Sequence, residues 1–210
     1  MQSKNTLVTS EQAYPGRDIP IKISRQHFVN GSDPTSEPAT GCQKVLLGMG
    51  CFWGAERLFW QLDGVITTSV GYAGGYTPNP TYQEVCTGMT GHTEIVRIVF
   101  DPRVIDFEQI LKVFWENHNP TQGMRQGNDQ GTQYRSAIYV YSATHYQLAL
   151  DSKLAYQSAL GTNYNTITTE IETDQVYYFA EDYHQQYLAK NPNGYCGIGG
   201  TGICYPPENS

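Results

Sequence analysis

The 210-residue sequence has few charged residues, and basic residues are the scarcer kind. Lys and Arg together number 13 and Asp and Glu 20, which gives a formal net charge of −7. Proteins that bind nucleic acid or an anionic membrane surface usually carry an excess of positive charge, because they must neutralise phosphate groups. The composition therefore argues against nucleic acid and membrane lipid as partners.

Long apolar stretches and an apolar leader are also missing. The longest apolar run, residues 45–53, is interrupted by two glycines, and it is well short of the ~20 residues that a membrane-spanning helix needs. Residues 1–10 are polar and lack the apolar core of a secretory signal. We therefore expect no transmembrane helix and a cytoplasmic location.

Cysteine is scarce, with five residues in the chain. Disulfide-stabilised scaffolds contain many more, usually in even number, so a reducing compartment with free thiols fits better. Aromatic residues make up 12% and apolar residues 39% of the chain, which is too rich for a disordered protein. The length suits one domain around one hydrophobic core.

Hydrophobic periodicity predicts the order of elements from residue 44 onward. Strands are expected at residues 44–50, 65–72, 94–100 and 136–141, with helices at residues 54–62 and 107–115. The resulting order β-α-β-β-α-β is that of a ferredoxin-like α+β fold, a two-layer sandwich. A helix at residues 144–160, a strand at 166–172 and a short helix at 180–190 would be additions. The prolines of the first 43 residues predict an extended N-terminal arm.

The segment GCFWG, residues 50–54, lies where a buried strand is predicted to enter a helix. The thiol of Cys51 would face the helix N-terminus, whose dipole can lower a thiol pKa by roughly one unit from ~8.5. Phe52 and Trp53 would supply an aromatic wall that suits a small apolar or sulfur-containing group. The alternative is a buried, inert cysteine beside core aromatics.

The C-terminal segment, residues 194–204, contains Cys196 and Cys204 and five glycines. Such a flexible tail suits thiol–disulfide exchange, in which two sulfur atoms must approach closely and then separate. Zinc is the competing explanation, but a zinc site needs four ligands, and no second cysteine pair or nearby histidine supplies them. We therefore expect no metal.

Glu94 opens a predicted strand whose same face is otherwise apolar. Partial desolvation of its carboxyl would raise the pKa and keep a proton available at neutral pH, which suits a general acid. The alternative is a strand-end glutamate that points into water or pairs with Arg97 or Arg103. 

Two tyrosines are predicted in loops next to strand ends, Tyr82 and Tyr134. A phenolic hydroxyl in such a place can donate a hydrogen bond to a developing oxyanion. Cys42 and Cys86 have no evident partner in the sequence, and we expect them to be idle.

Four blocks of the sequence together resemble the A-type peptide methionine sulfoxide reductases. They are GCFWG at residues 50–54, GHTE at 91–94, GNDQGTQYRS at 127–136 and GYCGIGG at 194–200. The likeness runs from about Lys44 to Pro207 and is closest to the long bacterial form with two recycling cysteines. That family reduces the S epimer of methionine sulfoxide, free or in proteins. The resemblance implies the ferredoxin-like fold already predicted, no cofactor, and thioredoxin as the final reductant.

The resemblance also implies roles for individual residues. Cys51 is expected to be the nucleophile, and Glu94 the acid that protonates the sulfoxide oxygen. Cys196 would then capture the oxidised Cys51 as a disulfide, and Cys204 would move that disulfide to the exposed tail. The residues expected at the substrate are Phe52, Trp53, Tyr82, Asp129, Tyr134, His184, Tyr187 and Tyr195.

The predicted organisation is therefore an arm at residues 1–43, a catalytic α+β domain at 44–190 and a glycine-rich recycling tail at 191–210, in a monomer. Two other functions remain open from the residues alone. One is a cysteine hydrolase with Cys51 as the nucleophile and His92 or His118 as the base, although such an enzyme would not need the two cysteines of the C-terminal segment. The other is a noncatalytic module that docks peptides on the aromatic residues around Trp53.

Overall fold

The computed structural model describes residues 4–205, which form eight strands and five helices. The strands are β1 Gln43–Met49, β2 Val65–Ala73, β3 Thr93–Phe100, β4 Arg125–Gln126, β5 Asp129–Gln130, β6 Ser136–Val140, β7 Glu170–Thr173 and β8 Tyr178–Phe179. The helices are α1 Phe52–Phe59, α2 Tyr82–Cys86, α3 Phe107–Asn117, α4 Ala143–Leu160 and α5 Tyr187–Lys190.

Six strands form one sheet in the order β7-β6-β1-β3-β2-β8, and β4 pairs with β5 in a separate hairpin. The central pairs β6–β1, β1–β3 and β3–β2 are all antiparallel, whereas β7 lies parallel to β6 at the edge. In chain order, strands β1, β2, β3 and β6 with helices α1 and α3 reproduce the split β-α-β arrangement twice. The predicted ferredoxin-like α+β fold is confirmed.

The helices cover one face of this sheet. Val45, Leu47 and Met49 of β1 belong to the large core cluster that also contains the apolar residues of α1, α3 and α4. Leu46 points to the opposite face, where it joins a smaller cluster, because successive side chains of a strand alternate between faces. Within residues 4–205, no helix is both long enough and apolar enough to span a membrane.

The described part of the N-terminal arm, residues 4–42, contains neither helix nor strand and lies along the domain. Arg17 forms an ion pair of 2.6 Å with Glu84 of α2. The guanidinium of Arg97 on β3 is buried under the arm and donates 2.7 Å to the backbone carbonyl of Ser36. The arm thus contacts α2 and covers part of the second sheet face.

Several predicted boundaries are wrong. Helix α1 begins at Phe52 and ends at Phe59, rather than spanning 54–62, because residues 59–65 form two consecutive backbone turns. The strand predicted at 166–172 starts only at Glu170, since Thr168 bonds to the carbonyl of Pro120 instead of to β6. Helix α2, the β4–β5 hairpin and the edge strand β8 are not predicted by the sequence.

The helix predicted at residues 180–190 exists only as α5, Tyr187–Lys190. Gln185 has its side chain hydrogen-bonded to the backbone N–H and carbonyl of Val70 on β2. Gln186 has a left-handed backbone, with φ of 47°, which interrupts a right-handed helix. The residues before α5 therefore form only a short 3₁₀ turn, Asp182–His184, and no longer α-helix.

Candidate active site

A tight turn at Gly50 joins β1 to α1 and sets the position of Cys51. Gly50 has φ of 85°, and a Cβ atom there would lie 2.5 Å from Cβ of Gln126, so only glycine fits. Cys51 is the N-cap residue of α1. The predicted position of the thiol at a helix N-terminus is confirmed.

Glu94 lies on β3 with its side chain directed toward the same turn. It is 2% exposed, and Oε2 accepts a hydrogen bond of 3.0 Å from the backbone N–H of Phe52. Burial raises the pKa of Glu94 to about 8, the Phe52 N–H opposes this shift, and the charge of Asp129 adds to it. The predicted direction is confirmed, and pairing with an arginine is excluded because Arg97 bonds to the arm and Arg103 to Asp101.

The thiol of Cys51 behaves differently from the expectation for a helix N-terminus. Burial raises its pKa, and the negative charge of Glu94 raises it further. The backbone N–H groups of Trp53 and Gly54 act in the opposite direction, as a helix N-terminus should. Desolvation outweighs them, so the pKa of the thiol shifts upward, opposite to the lowering expected from the helix N-terminus alone.

A cavity of about 140 Å³ opens beside the Cys51 thiol. The cavity is lined by residues of α1, α2, β3, the β4–β5 hairpin, the 3₁₀ turn at Thr132–Tyr134 and the C-terminal tail. Its lining residues are Cys51, Phe52, Trp53, Tyr82, Glu94, Asp129, Tyr134 and Tyr195. All eight are residues that sequence analysis had selected, although Tyr82 opens a helix and Tyr134 closes a 3₁₀ turn rather than lying in loops.

His184 and Tyr187 lie behind the cavity wall. The indole of Trp53 stacks on Tyr187 at a centroid distance of 3.8 Å, and its Nε1–H donates to Nδ1 of His184 at 3.0 Å. Burial lowers the pKa of His184 to about 4, so at neutral pH its imidazole is uncharged and Nδ1 can accept this bond. These two residues fix the orientation of Trp53 rather than lining the cavity themselves.

The C-terminal tail passes over the site. The hydroxyl of Tyr195 donates to Oδ2 of Asp129 at 3.2 Å, which places the tail at the mouth of the cavity. Cys196 follows against α1, where Arg57 Nη2 lies 3.0 Å from its Sγ atom. Cys204 is exposed, and the cysteines of residues 4–205 are all free thiols.

Some residues that build the site gave no signal in the sequence. Glu181 accepts a hydrogen bond of 2.9 Å from the backbone N–H of Tyr82 and one of 3.2 Å from the hydroxyl of Tyr72. It therefore anchors the first residue of α2 at the cavity. Cys86 lies one turn after Tyr82 on α2, and burial raises the pKa of both side chains.

The histidines proposed as hydrolase bases are placed elsewhere. His92 has Nδ1 bonded to the N–H of Gly75 and Nε2 to the carbonyl of Thr77. His118 is bonded to the carbonyl of Phe114 and to Ser136. Neither lines the cavity beside Cys51, so the hydrolase has no base there. Within residues 4–205, no three His, Cys, Asp or Glu side chains are grouped so that they could hold a metal ion.

Comparison with known proteins identifies the family. The family model of peptide methionine sulfoxide reductases matches residues 43–201, well over half of the chain. The chain belongs to the peptide methionine sulfoxide reductase family. The reductase is 67% identical over 209 residues to the peptide methionine sulfoxide reductase MsrA of Vibrio parahaemolyticus, with 99% of each chain covered.

Solved structures agree with this assignment. Methionine sulfoxide reductase A of Corynebacterium diphtheriae superposes with a TM-score of 0.86 at 46% identity, covering 97% of this reductase and 100% of that chain. Mxr1 of Saccharomyces cerevisiae in reduced form gives a TM-score of 0.73 at 32% identity, covering 82% and 97%. Mxr1 in complex with Trx2, at 22% identity and a TM-score of 0.52 with 73% and 90% covered, supports the fold alone.

The reductase is thus an oxidoreductase that reduces methionine sulfoxide, and the A-type resemblance noted in the sequence is confirmed. Family membership also removes the noncatalytic docking module as an interpretation of the aromatic residues around Trp53.

Proposed function

We propose that this reductase acts on the S epimer of methionine sulfoxide, free or in proteins, with Cys51 as the nucleophile and Glu94 as the proton donor. The observation that carries this proposal is the joint position of the two groups. Cys51 and Glu94 line one small cavity, and the N–H of the residue after Cys51 binds the Glu94 carboxyl at 3.0 Å.

The first step transfers oxygen from the substrate to Cys51. A sulfoxide releases its oxygen only if a proton reaches that oxygen, because expulsion of an oxide dianion is prohibitive. Glu94, with a pKa of about 8, is largely protonated at pH 7 and supplies that proton. The Cys51 thiolate forms a bond to the sulfoxide sulfur while Glu94 protonates the oxygen. The hydroxyl group then moves to the Cys51 sulfur as the bond between the two sulfurs breaks, its electron pair stays on the substrate sulfur, and methionine leaves while Cys51 becomes a sulfenic acid.

Protonation of Glu94 also helps Cys51 to ionise. The charge of an ionised Glu94 is one of the two causes that raise the pKa of the Cys51 thiol most. A neutral Glu94 removes that contribution, while the N–H groups of Trp53 and Gly54 remain to stabilise the thiolate. A protonated Glu94 therefore has two effects: it can donate its proton to the leaving oxygen, and it carries no negative charge that would disfavour the Cys51 thiolate.

The cavity has apolar residues that suit the methyl group of the substrate and polar residues that suit its oxygen. Phe52 and Trp53 would receive the ε-methyl group of the substrate, because aromatic faces attract sulfur-bound methyl groups. Tyr82 and Tyr134 would donate hydrogen bonds to the sulfoxide oxygen. The substrate is oriented by Asp129, with His184, Tyr187 and Tyr195 in support.

Recycling uses the two tail thiols, as in the long bacterial form with two recycling cysteines. Cys196 condenses with the Cys51 sulfenic acid to give a disulfide and water. Cys204 then attacks Cys196, which releases Cys51 as a thiol and leaves the disulfide between Cys196 and Cys204. Exposure of Cys204 makes this second disulfide accessible to thioredoxin, the proposed final reductant. The yeast protein Mxr1 has been solved in complex with Trx2.

The predicted division of the chain is retained as part of this proposal. Residues 44–190 would carry the chemistry, the arm at 1–43 would support it, and the tail at 191–210 would recycle it within one domain. A monomeric, cytoplasmic enzyme remains our prediction. Gel filtration at low micromolar concentration tests the first point, and cell fractionation tests the second.

The decisive experiment mixes the reduced protein with each epimer of methionine sulfoxide and follows products and thiols by mass spectrometry. We expect methionine from the S epimer, loss of two thiols per turnover, and no product from Cys51→Ser. The double variant Cys196→Ser, Cys204→Ser should give one methionine per enzyme and then stop when thioredoxin is the donor. Turnover of the R epimer, or continued turnover of the double variant with thioredoxin, would refute the scheme.

A further inference from the structure

The side chain of Arg57 is the one cationic group that touches a tail thiol within residues 4–205. It lies on the last turn of α1, and its Nη2 atom is 3.0 Å from Sγ of Cys196. No carboxylate of residues 4–205 lies within ion-pair distance of this guanidinium. The positive charge of Arg57 therefore lies beside the sulfur of Cys196 and is not paired with a carboxylate.

The position of Cys196 on α1 is specific. Gly54 and Arg57 are three residues apart, so they are neighbours on one side of the helix. A Cβ atom at Gly54 would lie 3.1 Å from Sγ of Cys196. The sulfur thus lies against the backbone of Gly54, with the guanidinium of Arg57 beside it.

We propose that Arg57 is a catalytic residue of the recycling half-reaction, in which it stabilises the thiolate of Cys196 that attacks the oxidised Cys51. This inference rests on the relay proposed above and adds to it the group that activates its second thiol. Arginine remains charged at all relevant pH values and donates charge-assisted hydrogen bonds. The guanidinium places a positive charge 3.0 Å from the sulfur that must carry the attacking electron pair, and an adjacent cation stabilises a thiolate.

The chemistry balances without any further reagent. The lone pair of the Cys196 thiolate forms the bond to the Cys51 sulfur, and the sulfur–oxygen bond of the sulfenic acid breaks. The hydroxide that leaves takes up the proton released when Cys196 ionised, and water is the only by-product. Cys196 is oxidised and Cys51 is reduced by the same electron pair.

The neighbouring titratable groups do not replace Arg57 in this role. Tyr195 adjoins Cys196 in the tail, but its hydroxyl donates to Asp129, and partial burial raises the pKa of Tyr195. It therefore stays neutral between pH 7 and 9. Asp129 is negative and bonded to that hydroxyl, so its charge would oppose a thiolate rather than favour it.

The test separates the two half-reactions. Reduced wild type, Arg57→Gln, Arg57→Lys and the control Arg103→Gln are each mixed with one equivalent of methionine (S)-sulfoxide. Methionine is measured by mass spectrometry, the Cys51 sulfenic acid by dimedone trapping, and the Cys51–Cys196 disulfide by peptide mapping. Arg103 is an exposed arginine paired with Asp101, and its removal should change nothing.

We expect Arg57→Gln to form methionine at the wild-type rate, which also shows that it is folded, but to form the disulfide at least about tenfold more slowly at pH 7. Dimedone adducts should accumulate. Arg57→Lys should remain close to wild type, because its ammonium group keeps a positive charge beside Cys196.

Two results would overturn the role of Arg57. One is a wild-type rate of disulfide formation in Arg57→Gln. The other is a deficit that Arg57→Lys shares, which would mean that Arg57 acts through its shape and packing rather than through its charge. A wild-type protein that makes methionine without forming the disulfide would instead refute the relay itself.

Discussion

The backbone N–H of Phe52 donates a hydrogen bond of 3.0 Å to Oε2 of Glu94. Phe52 is the first residue of α1, so the helix N-terminus that favours a negative charge at Cys51 also holds the carboxyl in place. Because Oε2 is occupied by a donor, the acidic proton belongs on Oε1. The two reacting groups are thus positioned by adjacent residues of one turn.

Glu94→Gln should slow methionine formation by on the order of 10²-fold or more, the usual cost of a lost general acid. Sulfoxide binding should be mostly retained, because glutamine fills the same space. Single-turnover kinetics with methionine (S)-sulfoxide measure the rate, and equilibrium titration measures binding. Glu172→Gln, an exposed substitution on β7, is the matched control. Near-normal turnover of Glu94→Gln would remove Glu94 from the mechanism.

The same acid sets a pH limit on the first step. Glu94 must start protonated, and burial raises its pKa to about 8. Ionisation of Cys51 alone would make the single-turnover rate rise with pH, because the thiolate attacks and burial raises the pKa of the thiol. Loss of the Glu94 proton should cancel that rise, so the wild-type rate at saturating sulfoxide should level off above about pH 8. In Glu94→Gln the rate should keep rising through pH 8. A wild-type rate that keeps rising between pH 8 and 10 would contradict the assignment.

The sequence was most informative where function depends on neighbouring residues. Cys51, Phe52 and Trp53 lie in one short motif, and strand periodicity alone placed Glu94 on a mainly apolar face. Glu181, in contrast, reaches the site through a bond to Tyr82, 99 residues away in the chain. A loop carboxylate with no periodic pattern gives no sign of such a partner, because only the folded sheet brings the two segments together.

The same reason explains the elements that were wrong or missed. Gln185 and Gln186 have helix-forming side chains, yet these bond to β2 and to Glu56 of α1. The α-helix therefore begins only at Tyr187, after a 3₁₀ turn at Asp182–His184. The Cys51 thiol provides a further example. A helix N-terminus could be predicted for Cys51, but the extent of its burial, which outweighs the helix, depends on the complete cavity.

Glu56→Gln should destabilise the protein by about 1–3 kcal/mol, the cost of an unsatisfied buried donor. Glu56 is fully buried and accepts bonds from Thr68, from the backbone N–H of Gln186 and from its side chain. A glutamine offers one acceptor oxygen instead of two. Urea unfolding measures the change, and Glu172→Gln on the surface should stay within about 0.5 kcal/mol of wild type.

The sign of the pH dependence at Glu56 provides a second measurement. Burial raises its pKa to about 7, above the ~4.3 of an unfolded chain, so the fold favours the protonated form. Its contribution to stability is complete below pH 4.3 and is lost as the pH rises through 7. The difference in unfolding free energy between wild type and Glu56→Gln should therefore shrink between pH 5 and 8. A difference that grows with pH would contradict this assignment.

Gly54→Ala should slow disulfide formation several-fold while leaving the first oxygen transfer intact. The added Cβ would lie 3.1 Å from Sγ of Cys196 and 3.1 Å from Cβ of Ile198, so the tail must move away from α1. Helix propensity acts in the opposite direction, since alanine favours a helix interior by up to about 1 kcal/mol over glycine. Stability should therefore not fall, and a slower relay cannot be attributed to unfolding.

Gly199→Ala is the matched control for this prediction, because a Cβ atom at Gly199 meets nothing within 4 Å. Both variants add one methyl group close to Cys196 in space or in sequence, but only Gly54→Ala intrudes between the sulfur and the helix. Peptide mapping of the Cys51–Cys196 disulfide after one equivalent of substrate compares them. Equal rates of disulfide formation in the two variants would show that the contact between Cys196 and α1 is not needed to form the disulfide. A slower rate in Gly199→Ala would show that the backbone of the tail limits the reaction instead.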